Sequence, residues 1–341
     1  MKLGLVLDVV QEKDNYIFAH EVIPFLRYAL PRIEVYVVQP EDYKNINGTM
    51  PVYHLNDKLR KDINPLELDG IYFGHLGQAM DQQDTSLTNT LPDLCKLFEQ
   101  LKPYRAEGLT LLNRPETMLN FVSKRYILDM AKETDIPFIE SEEVKSLDHL
   151  LELSQRQELM LVKPFISERS NGTIVLNGKS KEELRKHYET YCGKKIKVEG
   201  ESPLFTEVKS QQGLIAQPYC PDFVKIGEVK IGIMGGEITL SRIHQLEEST
   251  LDIPIVAAGR KDAIVKLSRY TPTSQEAELA MRVYEIVNKQ FPIYNLRVDL
   301  ANGKVSEIEA LNPCFLTDSD VFSDEEITQH HERLLKGFGQ Y

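Results

Sequence analysis

Apolar residues fall in short continuous runs near the start of the chain, separated by spaced apolar stripes. "LGLVLDVV", "IEVYVVQ", "LDGIYFG" and "LTLLN" are runs of the first kind. They read as strands buried on both faces. "FAHEVIPFLRYAL" and "LPDLCKLFEQL" carry the spacing of helices. Alternation of the two predicts a parallel α/β domain. The stretch from Glu41 to Pro65 is polar and irregular, and is expected to be a long loop or a small hairpin.

Asn113-Arg114-Pro115 interrupts this pattern. A single helix is expected over "TMLNFVSKRYILDMAKETD", ending before Ile136-Pro137. "LMLVKPF" and "GTIVL" read as strands joined by the polar loop "ISERSNG", followed by a helix over "KEELRKHYETY". Strands "LIAQPY", "EVKIGIM" and "EITLSRI" precede a helix over "SQEAELAMRVYEIVNKQF". A terminal helix, "SDEEITQHHERLLKGF", closes the pattern, with His330-His331 expected on a solvated face.

"NLRVDLANGKVSEIEALNPCF", from Asn295 to Phe315, breaks the rule that strands avoid Asp and Glu. Alternation places Arg297 with Asp299 on one face, and Glu307 with Glu309 on one face. A two-residue Asn302-Gly303 turn would pair Asp299 with Ser306 and separate the two sets. A three-residue loop, Ala301-Asn302-Gly303 with Gly303 in the left-handed position of a bulge, would bring them together. The three-residue loop is preferred because it gathers the carboxylates. Three carboxylates on one face invite a hard cation such as Mg²⁺; solvated charges on an exposed hairpin are the other reading. Asn312 and Pro313 follow directly.

Composition narrows the classes. The 341 residues carry a net charge of -12, which disfavours a generic nucleic-acid or anionic-membrane binder. Four scattered cysteines without a CxxC read as reduced thiols in a cytoplasmic protein. The first apolar run is too short for a signal peptide, and no run is long enough to span a bilayer.

"LLNRPETMLNFVSKRYILD", "LVKPF", "LIAQPYCP", "RVDL" and "SEIEALNP" occur in an order that resembles the ATP-grasp superfamily. Glutathione synthetase-like carboxylate–amine ligases are the nearest resemblance, and it covers almost the whole chain. "VAAGRKDAIVKLS" resembles the Ala- and Gly-containing loop of that family. The implied architecture is a mixed α/β (α+β) ATP-grasp fold. Residues 1–120 would form an N-terminal parallel α/β (pre-ATP-grasp) domain. Residues 121–215 would form a central lid, and residues 216–341 a C-terminal part with the metal hairpin.

The resemblance also implies roles. Lys124 and Lys163 would hold phosphates, and the loop "SERSNGT" would cover them. Gln217, Tyr219 and Cys220 would read adenine, Pro218 having no N–H to give. Arg242 would face the transferring phosphate. Lys230 falls where such ligases often have an arginine, and a point charge replaces a fork there. Arg297 would meet a developing oxyanion, and Asp299, Glu307 and Glu309 would hold one or two Mg²⁺, or Mn²⁺. Glu307-x-Glu309 departs from the Glu-x-Asn of glutathione synthetase and is similar to some other ATP-grasp ligases. The implied reaction joins a small carboxylate, an amino acid or short peptide, to an amine, with ATP leaving as ADP and phosphate. A small-molecule kinase of this fold and a synapsin-like ATP-binding protein are the alternatives. No nucleic acid or membrane partner is implied, and relatives of this kind commonly form homo-oligomers.

Overall fold

The computed structural model describes residues 1–6, 10–12, 15–17, 22–38, 46, 48–73, 87–167, 172–193, 202–249, 263–310 and 320–339. Strands β1 Lys2–Val6, β4 Glu34–Val38, β5 Met50–His54, β6 Leu59–Ile63, β7 Gly70–Phe73 and β8 Leu111–Leu112 form one sheet, while β2 Val10–Glu12 and β3 Asn15–Ile17 form a separate ribbon. The sheet order is β6-β5-β4-β1-β7-β8. β4, β1, β7 and β8 run parallel, as their continuous apolar sequences predict. β5 and β6 extend the edge as an antiparallel hairpin, within the segment expected to be a loop or hairpin.

Helices cover both faces of this sheet. Val6, Ile71 and Phe73 pack with Leu94, Leu97 and Phe98 of α2 (Leu87–Ala106). Leu3 and Leu5 pack with Phe25 of α1 (Ile23–Ala29) and with Leu334 of the terminal helix α10 (Asp324–Gly337). Gly70 permits this second contact: a Cβ there would overlap the ring of Phe338 and lie 3.1 Å from the carbonyl oxygen of Thr110. Gly70→Ala should therefore lower stability by about 1–3 kcal/mol, the usual cost of overpacking. Urea unfolding reads this directly, and an unchanged midpoint would mean that Phe338 moves aside without cost.

α10 corrects one expectation. His330 and His331 are buried, not solvated. Ile327, His330, His331 and Leu334 recur at helical spacing and are all buried. The His331 ring meets Phe25 edge-on, with centroids 5.2 Å apart. Among the described residues the ring nitrogens of both histidines have no hydrogen-bond partner. Burial, aided by Arg333, holds His330 down at about 4, and burial, aided by His330, holds His331 at about 3. Both are thus neutral when folded and bind protons more readily when unfolded. Their contribution is fully present above the unfolded value near 6.5 and is lost as pH falls through 4. Between pH 7 and pH 4 each should cost on the order of 3 kcal/mol. A His330→Leu/His331→Phe double variant should flatten the acid side of the stability profile.

The second sheet contains β9 Glu142–Glu143, β10 Met160–Pro164, β11 Ile174–Val175 and β12 Leu214–Pro218, in the order β11-β10-β12-β9 and antiparallel throughout. Val162, Leu214 and Ala216 face a core with Leu150 of α5 (Leu147–Ser154) and Leu184 of α6 (Lys181–Tyr188). The third sheet is antiparallel, β15-β14-β13-β16-β17, built from β13 Glu228–Met234, β14 Glu237–Ser249, β15 Ala263–Arg269, β16 Asn295–Ala301 and β17 Lys304–Glu309. Val229, Ile231, Val298 and Ile308 pack with Ala280, Val283 and Val287 of α9 (Ser274–Gln290). Their alternate neighbours therefore lie on the opposite face. α7 (Pro203–Ser210) precedes β12, and α8 (Asp222–Lys225) joins β12 to β13.

The helix expected from Thr117 onward is two helices, α3 (Pro115–Asn120) and α4 (Arg125–Glu133). The break has a non-local cause. The Lys124 N–H donates to the carbonyl of Phe165, at the end of β10, instead of continuing a helical ladder. Asn113, just after β8, is a buried clamp. Its Nδ2 donates to the carbonyls of Asn295 (2.6 Å) and Ala310 (3.1 Å), and its Oδ1 accepts from the N–H groups of Tyr294 (3.0 Å) and Asn295 (2.9 Å). Among the described residues no helix is long and apolar enough to cross a membrane, and Cys95, Cys192 and Cys220 are free thiols.

Candidate functional site

The hairpin gathers its carboxylates, but not through the expected loop. The turn has two residues, Asn302 and Gly303, with φ of 50° and 69°, and Ala301 pairs with Lys304. Both residue types tolerate that left-handed backbone. The extra residue sits in β17, where the register shifts so that Asp299 faces Glu307 and Arg297 faces Glu309. Ser306 is the residue absorbed by this bulge. Its Oγ donates to Glu228 Oε1 at 2.9 Å. Tyr126 of α4 braces the strand, its hydroxyl accepting from the N–H of Ile308 (2.6 Å) and donating to the Ile308 carbonyl (3.0 Å).

Cross-strand register then defines two rows of charge. Arg269, Arg242, Lys230, Asp299 and Glu307 stand opposite one another on successive strands. In the next row Gly232, Arg297 and Glu309 do the same. Asp299 is fully buried. Arg297 grips it with both Nε (2.7 Å to Oδ1) and Nη2 (2.9 Å to Oδ2), and Lys230 Nζ is in contact with Oδ2. Burial alone would raise the Asp299 pKa; Arg297 and Lys230 outweigh it and bring it to about 2. Lys230 also pairs with Glu228 at 2.7 Å. Its own pKa is raised, the desolvation penalty being overcome by Asp299 and Glu228.

The second sheet supplies the facing wall. Leu161, Lys163, Ile215 and Gln217 lie on the face opposite the Val162–Ala216 core, and Ile215 joins the core of the third sheet. Lys124 reaches across: its Nζ pairs with Glu307 Oε1 at 3.0 Å and donates to the Ser167 carbonyl at 2.7 Å. Burial would raise the Glu307 pKa, yet the charge of Lys124, helped by Lys230 and Arg297, holds it below the ordinary carboxylate value. Lys163 feels Glu307 and Glu228 as well, but desolvation dominates and lowers its pKa. Among the described residues it has no ion pair.

Arg242 is buried, and among the described residues its Nε and Nη1 have no hydrogen-bond partner. A buried guanidinium with unmet donors is adapted to an anion. Glu307 and Glu309 are half-buried carboxylates two residues apart on one strand, an oxygen donor set suited to a hard cation. Among the described residues no group of three or more His, Cys, Asp or Glu side chains converges as a metal cluster.

The three hinge residues differ in what they have left to offer. Gln217 is buried and its Nε2 donates to Ser141 Oγ at 2.8 Å. The Tyr219 N–H is taken by the Leu159 carbonyl at 2.7 Å. The Cys220 N–H has no partner among the described residues, which leaves it as the donor at this edge. Residues 168–171 of the polar loop, 256–262 of the Ala-Gly segment, and Asn312 and Pro313 lie outside the described residues.

Sequence reasoning missed Glu228, His244, Ser306 and Tyr126. The first two were visible as polar residues at every second position of apolar strands, in "EVKIGIM" and "SRIHQ". His244 stands opposite Glu228 and is buried, its Nε2 unpartnered among the described residues. Desolvation, then the charges of Lys230, Arg242 and Arg297, keep it neutral.

No protein-family profile matches the chain, and no curated protein does. Solved structures do. D-cycloserine synthetase DcsG superposes with a TM-score of 0.65 at 14% identity, over 99% of this chain and 100% of that one. D-alanine–D-alanine ligase from Bacillus anthracis gives 0.56 at 13%, over 100% and 98%. The ATP-grasp ligase PsnB, complexed with its minimal precursor, gives 0.54 at 11%, over 96% and 97%. The chain therefore has the ATP-grasp fold. Its full length is spanned by that likeness, as the order of its motifs implied.

Proposed function

We propose that this protein is an ATP-dependent carboxylate–amine ligase that activates an acid as an acyl phosphate and releases ADP. The observation that carries the reading is Arg242, buried with two guanidinium nitrogens unmet among the described residues, beside Lys230 and Arg269 in one cross-strand row. Lys163 from the facing wall and Lys124 at the start of α4 complete the cationic surroundings. Such an array screens the repulsion between a carboxylate and a triphosphate. Residues 1–120 would seat the acceptor, 121–215 would act as the lid, and 216–341 would carry the charged rows.

Each residue has a part. Lys124 and Lys163 hold phosphate oxygens, and Arg242 neutralises the phosphoryl group in transfer. The Cys220 N–H, at the hinge with Gln217 and Tyr219, receives the adenine edge. Glu307 and Glu309 would hold Mg²⁺, which when bound would polarise phosphate oxygens. Arg297, its plane fixed by Asp299, meets the oxyanion formed when the amine attacks. The chain positions both substrates and excludes water, without a covalent protein nucleophile. Likeness to a D-alanine–D-alanine ligase and to a macrocyclase bound with a precursor peptide supports an amino acid or short peptide as substrate. Glu307-x-Glu309 favours a substrate other than the glutathione precursor.

The test crosses amino acids and short peptides as acids and amines, and follows ADP release. The correct acid should yield a hydroxamate when hydroxylamine is present. A stable phosphorylated alcohol without hydroxamate would make the protein a kinase, and AMP with pyrophosphate would overturn the acyl-phosphate route.

A further inference from the structure

Asp299 does not fit the role of metal ligand that the motif resemblance gives it. It is completely buried, and both its oxygens are taken, Oδ1 by Arg297 and Oδ2 by Arg297 and Lys230. A divalent ion of the Mg²⁺ type keeps several waters and dehydrates reluctantly. To reach Asp299 it would have to displace an ammonium and one arm of a bidentate guanidinium from a site closed to solvent. Breaking such a buried pair is strongly unfavourable.

Lys230 explains the arrangement. Its Nζ lies between carboxylates of two adjacent strands, Glu228 at 2.7 Å and Asp299. Glu228 is held in turn by the hydroxyl of Ser306, at 2.9 Å. An ammonium bridging two carboxylates occupies the place and supplies the charge of a cation. Glu307, paired with Lys124 but with 31% of its side chain exposed, and the half-buried Glu309 are less enclosed than Asp299 on the same face.

We infer that Lys230 is a built-in substitute for a second metal ion, so that the chain takes one divalent cation, on Glu307 and Glu309. This rests on the ATP-dependent ligase reading for the identity of the bound partner, but not for the occupancy of Asp299. Asp299 is then a positioning residue for Arg297 and Lys230.

The experiment counts Mn²⁺ bound per folded full-length chain, from the loss of the free-ion electron paramagnetic resonance signal. It is run with and without one equivalent of the β,γ-imido analogue of ATP. Wild type with the analogue should bind one Mn²⁺, and Asp299→Asn should still bind one. Lys230→Met leaves Glu228 and Asp299 facing each other and should bind two, while Lys230→Arg should return the count to one. Two Mn²⁺ on wild type, or loss of the ion in Asp299→Asn, overturns the inference. If Lys230→Met does not fold, the wild-type and Asp299→Asn counts decide alone. Failure of the analogue to bind, seen by calorimetry, would instead sink the ATP reading, and the counts without nucleotide would still decide the place of Lys230.

Discussion

Arg297→Lys should lower the turnover number for amide formation by about 10²–10³-fold while leaving the chain folded. Arg297 spends Nε and Nη2 on Asp299, which fixes the guanidinium plane within the row Gly232–Arg297–Glu309. Removing an oxyanion donor costs about 2.7–4 kcal/mol of transition-state stabilisation. Alanine would confuse this loss with another, because it strands the fully buried Asp299 with half of its counter-charge. Lysine keeps a cation against Asp299 but loses the planar fork. The measurement is the rate of amide formation beside a thermal melt. Turnover within tenfold of wild type, with an unchanged melt, would reduce Arg297 to an anchor for Asp299.

Asn113→Ala should be the most destabilising of the single substitutions considered. Four hydrogen bonds disappear together, leaving the N–H groups of Tyr294 and Asn295 and the carbonyls of Asn295 and Ala310 without their partner. Each buried group left unsatisfied costs about 1–3 kcal/mol, so a loss of about 4 kcal/mol or more is expected. Asn113→Asp keeps the acceptor but sets a carboxylate against two carbonyl oxygens, and should fare no better. Urea unfolding with a hairpin-sensitive probe, such as amide exchange at Asn295, measures both. A loss below about 1 kcal/mol would mean that water replaces the amide, and that the hairpin mouth holds itself.

The parts of the fold that were legible in the sequence were those set by local periodicity. Continuous apolar runs identified β1, β4 and β7, and alternation with helices identified their parallel order. The gathering of Asp299, Glu307 and Glu309 was legible because strand charges demand an explanation. Its mechanism was not: nothing in Val305-Ser306-Glu307 announces a bulge, so the parity change was assigned to the turn. The break between α3 and α4 depends on Phe165, a residue 41 positions beyond Lys124. Asn113 reads as a simple pattern breaker, since its partners lie about 180 residues away. His330 and His331 misled by residue type, although Ile327 and Leu334 carried the periodicity of a buried face.

The amide clamp has a mechanical meaning. Asn113 ties the end of the first sheet to both strands at the hairpin mouth. Tyr72 of β7 adds a bond to Asn295 (2.9 Å), and Thr117 one to the Pro292 carbonyl (3.1 Å). The first and third sheets are thus tied into one unit. The second sheet meets this unit through Ile215, which joins the core of the third sheet, and through the bond from the Lys124 N–H to the Phe165 carbonyl. An acceptor seated on the first sheet would travel with Arg297. On the proposed function, its alignment would survive a movement of the second sheet and would not have to be found again at every turnover.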